Sequence, residues 1–145
     1  MTLKQVYTIY NTLMKIHRKY AADTGCDRIS EFTSEINALN SEMDHPLCND
    51  LTSIIYVWYR GWGKDNRPFM LDNDAIKNMY LDAWTTHRTL SDKRREMGNT
   101  TEFWDLAERG CAGMQSTWTG VVAGKVEMIA KAIWDSLERD DITIE

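Results

Sequence analysis

The sequence predicts an all-α fold, a compact antiparallel helical bundle of five or six helices, and three observations carry the expectation. Apolar residues recur at steps of three and four through most of the chain. Two prolines and eight glycines in 145 residues leave few interruptions. Six tryptophans, from Trp58 onward, supply large rings to fill the space between packed helices. A hydrophobic share of 43% and a charged share of 27% place the chain among globular domains rather than disordered segments. Its length suits one core closed without disulfides.

The first helix covers residues 3–20. Leu3, Val6, Tyr10, Leu13, His17 and Tyr20 form a stripe that Tyr7, Ile9, Met14 and Ile16 widen, so this face asks for more than one neighbour. Gly25 is the expected left-handed residue after it. A second helix starts at Asp27 or Ser30 and runs to Met43, with Ile29, Phe32, Ile36 and Leu39 inward. His45-Pro46 interrupts the pattern. Leu47, Leu51, Ile54, Ile55 and Trp58 then form a third stripe, capped by Asn49 or Asp50. Ile54 to Tyr59 also has the β-branched and aromatic content of a strand, but no second strand offers itself as a partner.

Asp72 or Asn73 caps a fourth helix whose face runs Ile76, Met79, Tyr80, Ala83, Trp84, His87 and Leu90, ending by Gly98. Asn99 with Glu102 resembles a capping box. From Trp104 to Leu137 the apolar spacing stays close to the helical repeat of about 3.6 residues. Either one long rod spans this run or two helices meet near Thr119-Gly120, and the second suits a small domain better. Gly110, Gly113, Gly120 and Gly124 cost helix stability there and favour close helix approach or a break. Residues 1–139 read as one domain, and 140–145 as an acidic tail, disordered or able to add to a partner's sheet edge. Trp84, Trp104, Trp118 and Trp134 are expected in the core, Trp58 less firmly.

Charge is uneven along the chain, which carries −5 overall. Lys4, Lys15, Arg18 and Lys19 make the first helix basic without any acid, whereas residues 23–50 oppose many acids to Arg28 alone. Acids again outnumber bases beyond residue 99. Acidic helical faces suit a protein partner with a basic surface and make direct binding of duplex nucleic acid unfavourable. The densest apolar region, Ile54–Tyr59, is far shorter than the roughly 20 residues a membrane-spanning helix needs. Cys26, Cys48 and Cys111 are odd in number and widely spaced, as reduced thiols in the cytoplasm would be.

Linear motifs for catalysis are absent. His17 and His87 lie on apolar stripes and read as core histidines with hydrogen-bond partners. His45 follows Glu42 by three positions, one Glu-x-x-His pair where a di-metal bundle uses two. Asp105, Glu108 and Glu127 are weak metal candidates, because acids three apart share a helix face but also occur on any solvated acidic helix. They define the enzyme alternative, a metal-dependent hydrolase of a phosphorylated small molecule. No cofactor is implied. The segment 60–69 has the composition of a binding loop: Arg60, Lys64 and Arg67 surround Trp62 between two glycines, with Phe69 at its end. The expected function is that of a small intracellular regulator, adaptor or inhibitor acting by protein–protein contact. Self-association into a homodimer is the structural alternative.

Overall fold

The computed structural model describes residues 1–23, 25–61 and 67–143 and shows an antiparallel bundle of six helices. They are α1 (Leu3–Tyr20), α2 (Ile29–Met43), α3 (Pro46–Arg60), α4 (Asn73–Met97), α5 (Thr101–Ser116) and α6 (Gly120–Arg139). A single 3-10 turn, Arg67–Phe69, precedes α4. Among the described residues there is no strand; one isolated bridge joins Thr2 to Thr143. The helix α3 therefore absorbs the Ile54–Tyr59 run, and Val57, at 43% exposure, lies on its outer side.

The caps explain most boundaries. Thr2 accepts from the Gln5 amide while Gln5 Oε1 accepts from the Thr2 amide, a reciprocal capping box. Asp72 caps α4 through the Ala75 amide at 2.7 Å. At α3 the cap is His45, not Asn49 or Asp50: its Nδ1 accepts from the Leu47 amide at 3.1 Å. Pro46 then fills the first helical position, where a missing amide costs nothing. Thr100 rather than Asn99 caps α5, accepting from the Phe103 amide, and Asn99 receives the Trp104 indole N–H at 2.7 Å. Gly25 does not take the left-handed position after α1; Cys26 does, with φ 57°. The Asp23 carboxylate stabilises that turn by accepting the amides of Asp27 and Arg28 and the Tyr59 hydroxyl.

The apolar run after Trp104 divides at Gly120, whose φ of +67° is a conformation side chains rarely adopt. Close helix approach accounts for only one of the other glycines. A Cβ on Gly110 would sit 3.4 Å from Leu90, whereas at Gly113 and Gly124 it would meet nothing within 4 Å.

Helix neighbours close a ring in the order α1, α4, α5, α6, α3, α2 and back to α1, with α4–α6 and α1–α3 contacts across its middle. The α1–α4 edge thus faces away from the α3–α6 edge. Tyr10, Tyr20, Tyr59, Phe32, Phe69 and Phe103 are large rings buried between the helices. The tryptophans reverse the expectation. Among the described tryptophans Trp58 is the interior one at 2% exposure, while Trp84, Trp104, Trp118 and Trp134 are only partly buried against the core. For Trp104 and Trp134 the reason is polar. They pack together at 4.8 Å and send their indole N–H groups to Asn99 and Glu138 at the solvent boundary.

Residues 141–143 run alongside the N-terminus. Leu3 N donates to Thr143 O and Thr143 N to Met1 O, each at 2.8 Å, and Ile142 packs against the core. His45 Nε2 meets Asp141 Oδ2 at 2.8 Å, tying this segment to the cap of α3.

Gly124→Ala and Gly113→Ala should each raise unfolding free energy by roughly 0.5–1 kcal/mol in urea titrations, since helix entropy improves without a clash. Gly120→Ala should lower it, because the residue holds a positive φ.

Candidate functional site

The titratable groups of the interior are occupied with one another. His17 is fully buried; its Nε2 lies 2.7 Å from Phe69 O and its Nδ1 2.9 Å from Tyr80 Oη. A carbonyl only accepts, so Nε2 carries the proton and Tyr80 donates to Nδ1. The ring also stacks on Phe69 at 3.8 Å with planes 7° apart. His87, equally buried, places Nδ1 2.8 Å from Tyr10 Oη and Nε2 3.1 Å from Ser136 Oγ, joining α4 to α1 and α6. Burial lowers His17 to about 4, the Phe69 carbonyl opposing the shift. Burial, aided by the charge of Arg139 and opposed by Asp141, lowers His87 to about 3. Desolvation pushes the Tyr10 and Tyr80 hydroxyls well above their ordinary range. Cys48 and Cys111 are buried thiols raised by desolvation, Cys48 to about 11. These groups hold helices together.

The carboxylates named from the sequence stay apart from any concave site. Asp105 and Glu108 are exposed on α5 and Glu127 on α6. Among the described residues no three His, Cys, Asp or Glu side chains gather so as to hold a metal. His45 serves as a cap and binds Asp141, so its pairing with Glu42 does not form.

Trp62 and Lys64 lie outside the described residues. Arg60 ends α3, exposed, with its guanidinium 5.8 Å from the Tyr56 ring. Arg67 opens the 3-10 turn. Phe69 is a core ring with no exposed surface, packed on His17, Trp58 and Tyr59, so it is no part of a free binding loop. The basic run Lys93, Arg94 and Arg95 sits in the last turns of α4, at the opposite end of that helix from Phe69, and does not reinforce the loop. Its members have local partners: Lys93 with Glu96, Arg94 with Asp140 and Arg95 with Asp92.

Concave surface appears instead between helices, at two opposite edges of the ring and, as a groove of about 330 Å³ with Lys15, Lys19, Glu35 and Glu42 in its lining, between α1 and α2. Between α1 and α4 a cleft of about 150 Å³ is lined by Tyr7, Tyr10, Asn11, Met14, Lys77, Tyr80, Leu81 and Trp84. Tyr7 and Leu81 are each 47% exposed, and Tyr7 packs edge-on against Trp84 at 5.3 Å. Between α3 and α6 a broader groove of about 300 Å³ has Ile54, Val57, Met128 and Ala132 as its apolar part, with Asp50, Lys131 and Asp135 at its rim. Sequence reasoning passed over Leu81, Val57 and Met128 because none extends a core stripe. The excess width of the α1 face was the available signal for Tyr7 and Met14, whose extra apolar surface borders the cleft rather than a second helix.

Comparison with protein-family models, curated protein sequences and solved structures finds no match. No helix among the described residues is long and apolar enough to cross a membrane.

Both buried histidines are neutral when folded and gain protons once unfolded. The contribution of these two groups should therefore be level above pH 7 and fall as pH drops from about 6.5 towards the folded-state values of about 4 and 3. Each histidine contributes a slope of up to about 1.4 kcal/mol per pH unit. Urea denaturation at stepped pH checks this, and His87→Gln should flatten the slope over that window.

Proposed function

We propose that the domain is a small regulator, adaptor or inhibitor that works by binding a protein partner through its helical surface. The observation that carries this reading is the pair of apolar grooves left open on a bundle whose interior is otherwise filled. Tyr7, Leu81, Val57 and Met128 remain 43–47% exposed and fall in those grooves, whereas the exposed Met70 and Val121 lie outside them. Exposed apolar surface framed by polar residues is characteristic of interaction sites. Asp50 and Asp135 at the rim of the α3–α6 groove suit a partner with a basic surface. Loop 60–69, through Trp62, Arg60, Lys64 and Arg67, is a further contact in the same reading. The engagement of both buried histidines by internal partners leaves the outer faces as the available chemistry.

Self-association is the second reading, favoured by one stripe of α6. Val121, Gly124, Met128, Lys131 and Asp135 follow steps of three and four on its outer side, with Val121 56% exposed and open space over Gly124. Sedimentation velocity at micromolar protein separates the two: a dimer that Met128→Asp dissociates supports self-association, and a strict monomer removes it.

For the binding reading, immobilised wild-type protein should retain a cellular partner that Met128→Asp or Leu81→Asp loses while melting temperature stays within a few degrees. Trp62→Ala tests the loop in the same format. Retention unchanged by all three substitutions would falsify the reading.

A further inference from the structure

We propose that the α1–α4 groove docks an amphipathic helix of a partner protein whose apolar ridge is flanked by acidic residues; this rests on the reading of the domain as a binding module and names the ligand of one groove.

The apolar floor and the basic rim belong to two helix stripes. On α1, Lys4, Tyr7, Asn11, Met14 and Arg18 follow steps of three, four, three and four. On α4, Asp74, Lys77, Leu81, Trp84 and Arg88 repeat that pattern. The helices run antiparallel, since Tyr10 meets His87 and His17 meets Tyr80. Apolar side chains occupy the middle of both stripes. Lys77 stands in the wall of the cleft, Arg88 lies with its guanidinium 6.0 Å from the Trp84 ring, and Lys4 precedes Tyr7 by one turn. Arg18 closes one end, donating to Asn73 O at 3.1 Å. Against these bases stands Asp74 at that same end, and α1 contains no acid at all. A domain of net charge −5 thus presents one basic edge around apolar rings.

Shape selects the occupant. From Lys4 to Arg18 the stripe spans about 21 Å at 1.5 Å per residue, the length of a helix of about four turns. A cleft between two helices receives a ridge of side chains at i, i+3 or i+4, and i+7. The exposed aliphatic Leu81 and the half-buried Met14 favour apolar anchors over stacked bases. Acids on the flanks of the incoming helix would meet Lys4, Lys77 and Arg88, adding long-range attraction that salt weakens.

The test is selection from a displayed library of 14-residue peptides with apolar residues fixed at i, i+3 or i+4 and i+7, the other positions drawn from Glu, Lys, Ser and Ala. Selection on the wild-type protein should enrich Glu over Lys at the flanks. By fluorescence anisotropy, a selected peptide should lose at least tenfold in affinity on Leu81→Asp and at least threefold on Leu81→Ala, which serves should the aspartate variant be poorly folded. The double variant Lys77→Glu/Arg88→Glu should lose at least tenfold, and Met128→Asp should bind like wild type. Lys-rich binders, no enrichment, or insensitivity to both Leu81 substitutions would overturn the proposal. Peptides lost on Met128→Asp instead would overturn it while leaving the binding-module reading standing. Tighter binding of oligo(dT) or of phosphatidylserine vesicles, lost on Lys77→Glu/Arg88→Glu, would overturn it in favour of those ligands.

Discussion

The buried imidazole of His17 is the contact on which the packing of half the bundle turns. It offers one donor and one acceptor, and both are used: the Phe69 carbonyl, which also accepts from the Leu71 amide, takes the ring N–H, and the Tyr80 hydroxyl finds its acceptor on the other nitrogen. The same ring stacks on Phe69 and lies edge-on to Trp58 and Tyr80. One side chain of α1 thereby orients α3, α4 and the turn that enters α4. A leucine of similar volume would fill the space but leave the buried Tyr80 hydroxyl without this acceptor and the Phe69 carbonyl with the Leu71 amide alone, at about 1–3 kcal/mol for the unpaired hydroxyl. His87 does the equivalent for α1, α4 and α6 through Tyr10 and Ser136.

These polar ties also shape the surface. Tyr10 and Tyr80 are the two ring hydroxyls held by His87 and His17, and both line the cleft between α1 and α4. The floor of that cleft is therefore fixed from beneath. Its upper walls, Tyr7, Leu81 and Trp84, rest on rings whose orientation the core has already determined. A ligand entering such a site has little ordering left to accomplish, which is the physical content of preorganisation. The α3–α6 groove differs, because aliphatic side chains and the Asp50–Arg139 and Lys131–Asp135 pairs frame it.

Helix periodicity made the bundle legible. Each predicted stripe corresponds to an observed helix, and the break near Thr119-Gly120 falls where a glycine adopts positive φ. Caps were less legible, since His45 and Thr100 compete with neighbouring Asn and Asp residues of equal or better intrinsic preference. Tryptophans misled because ring size suggests burial, whereas the indole N–H draws Trp104 and Trp134 towards acceptors at the boundary. The grooves were illegible for a different reason. Leu81 is a single apolar residue outside its helix's core stripe, and only the juxtaposition of α1 and α4 reveals that it sits beside Tyr7 and Trp84. Charge in sequence misdirects in the same way. The acids after residue 23 dominate any count, yet Lys4 and Arg18 share a stripe of α1 with Tyr7 and Met14 at the α1–α4 edge, while Lys19 meets Glu35 of α2.

That redistribution bears on what the fold can do. In the helix ring the α1–α4 and α3–α6 edges point away from each other, so a ligand on one leaves the other free. Their rims differ: Lys77 and Arg88 stand beside the first, whereas at the second Asp50 and Asp135 pair with Arg139 and Lys131. Two helices, α4 and α6, connect the edges, and His87 with Ser136 joins them across the core. Close packing makes such a joint stiff: moving α4 outward at the first groove would pull His87 from Ser136 and expose two polar groups to an apolar gap. A single domain of this size can thus hold two surfaces of different character at a fixed spacing. The same hydrogen bonds that close its interior set that spacing.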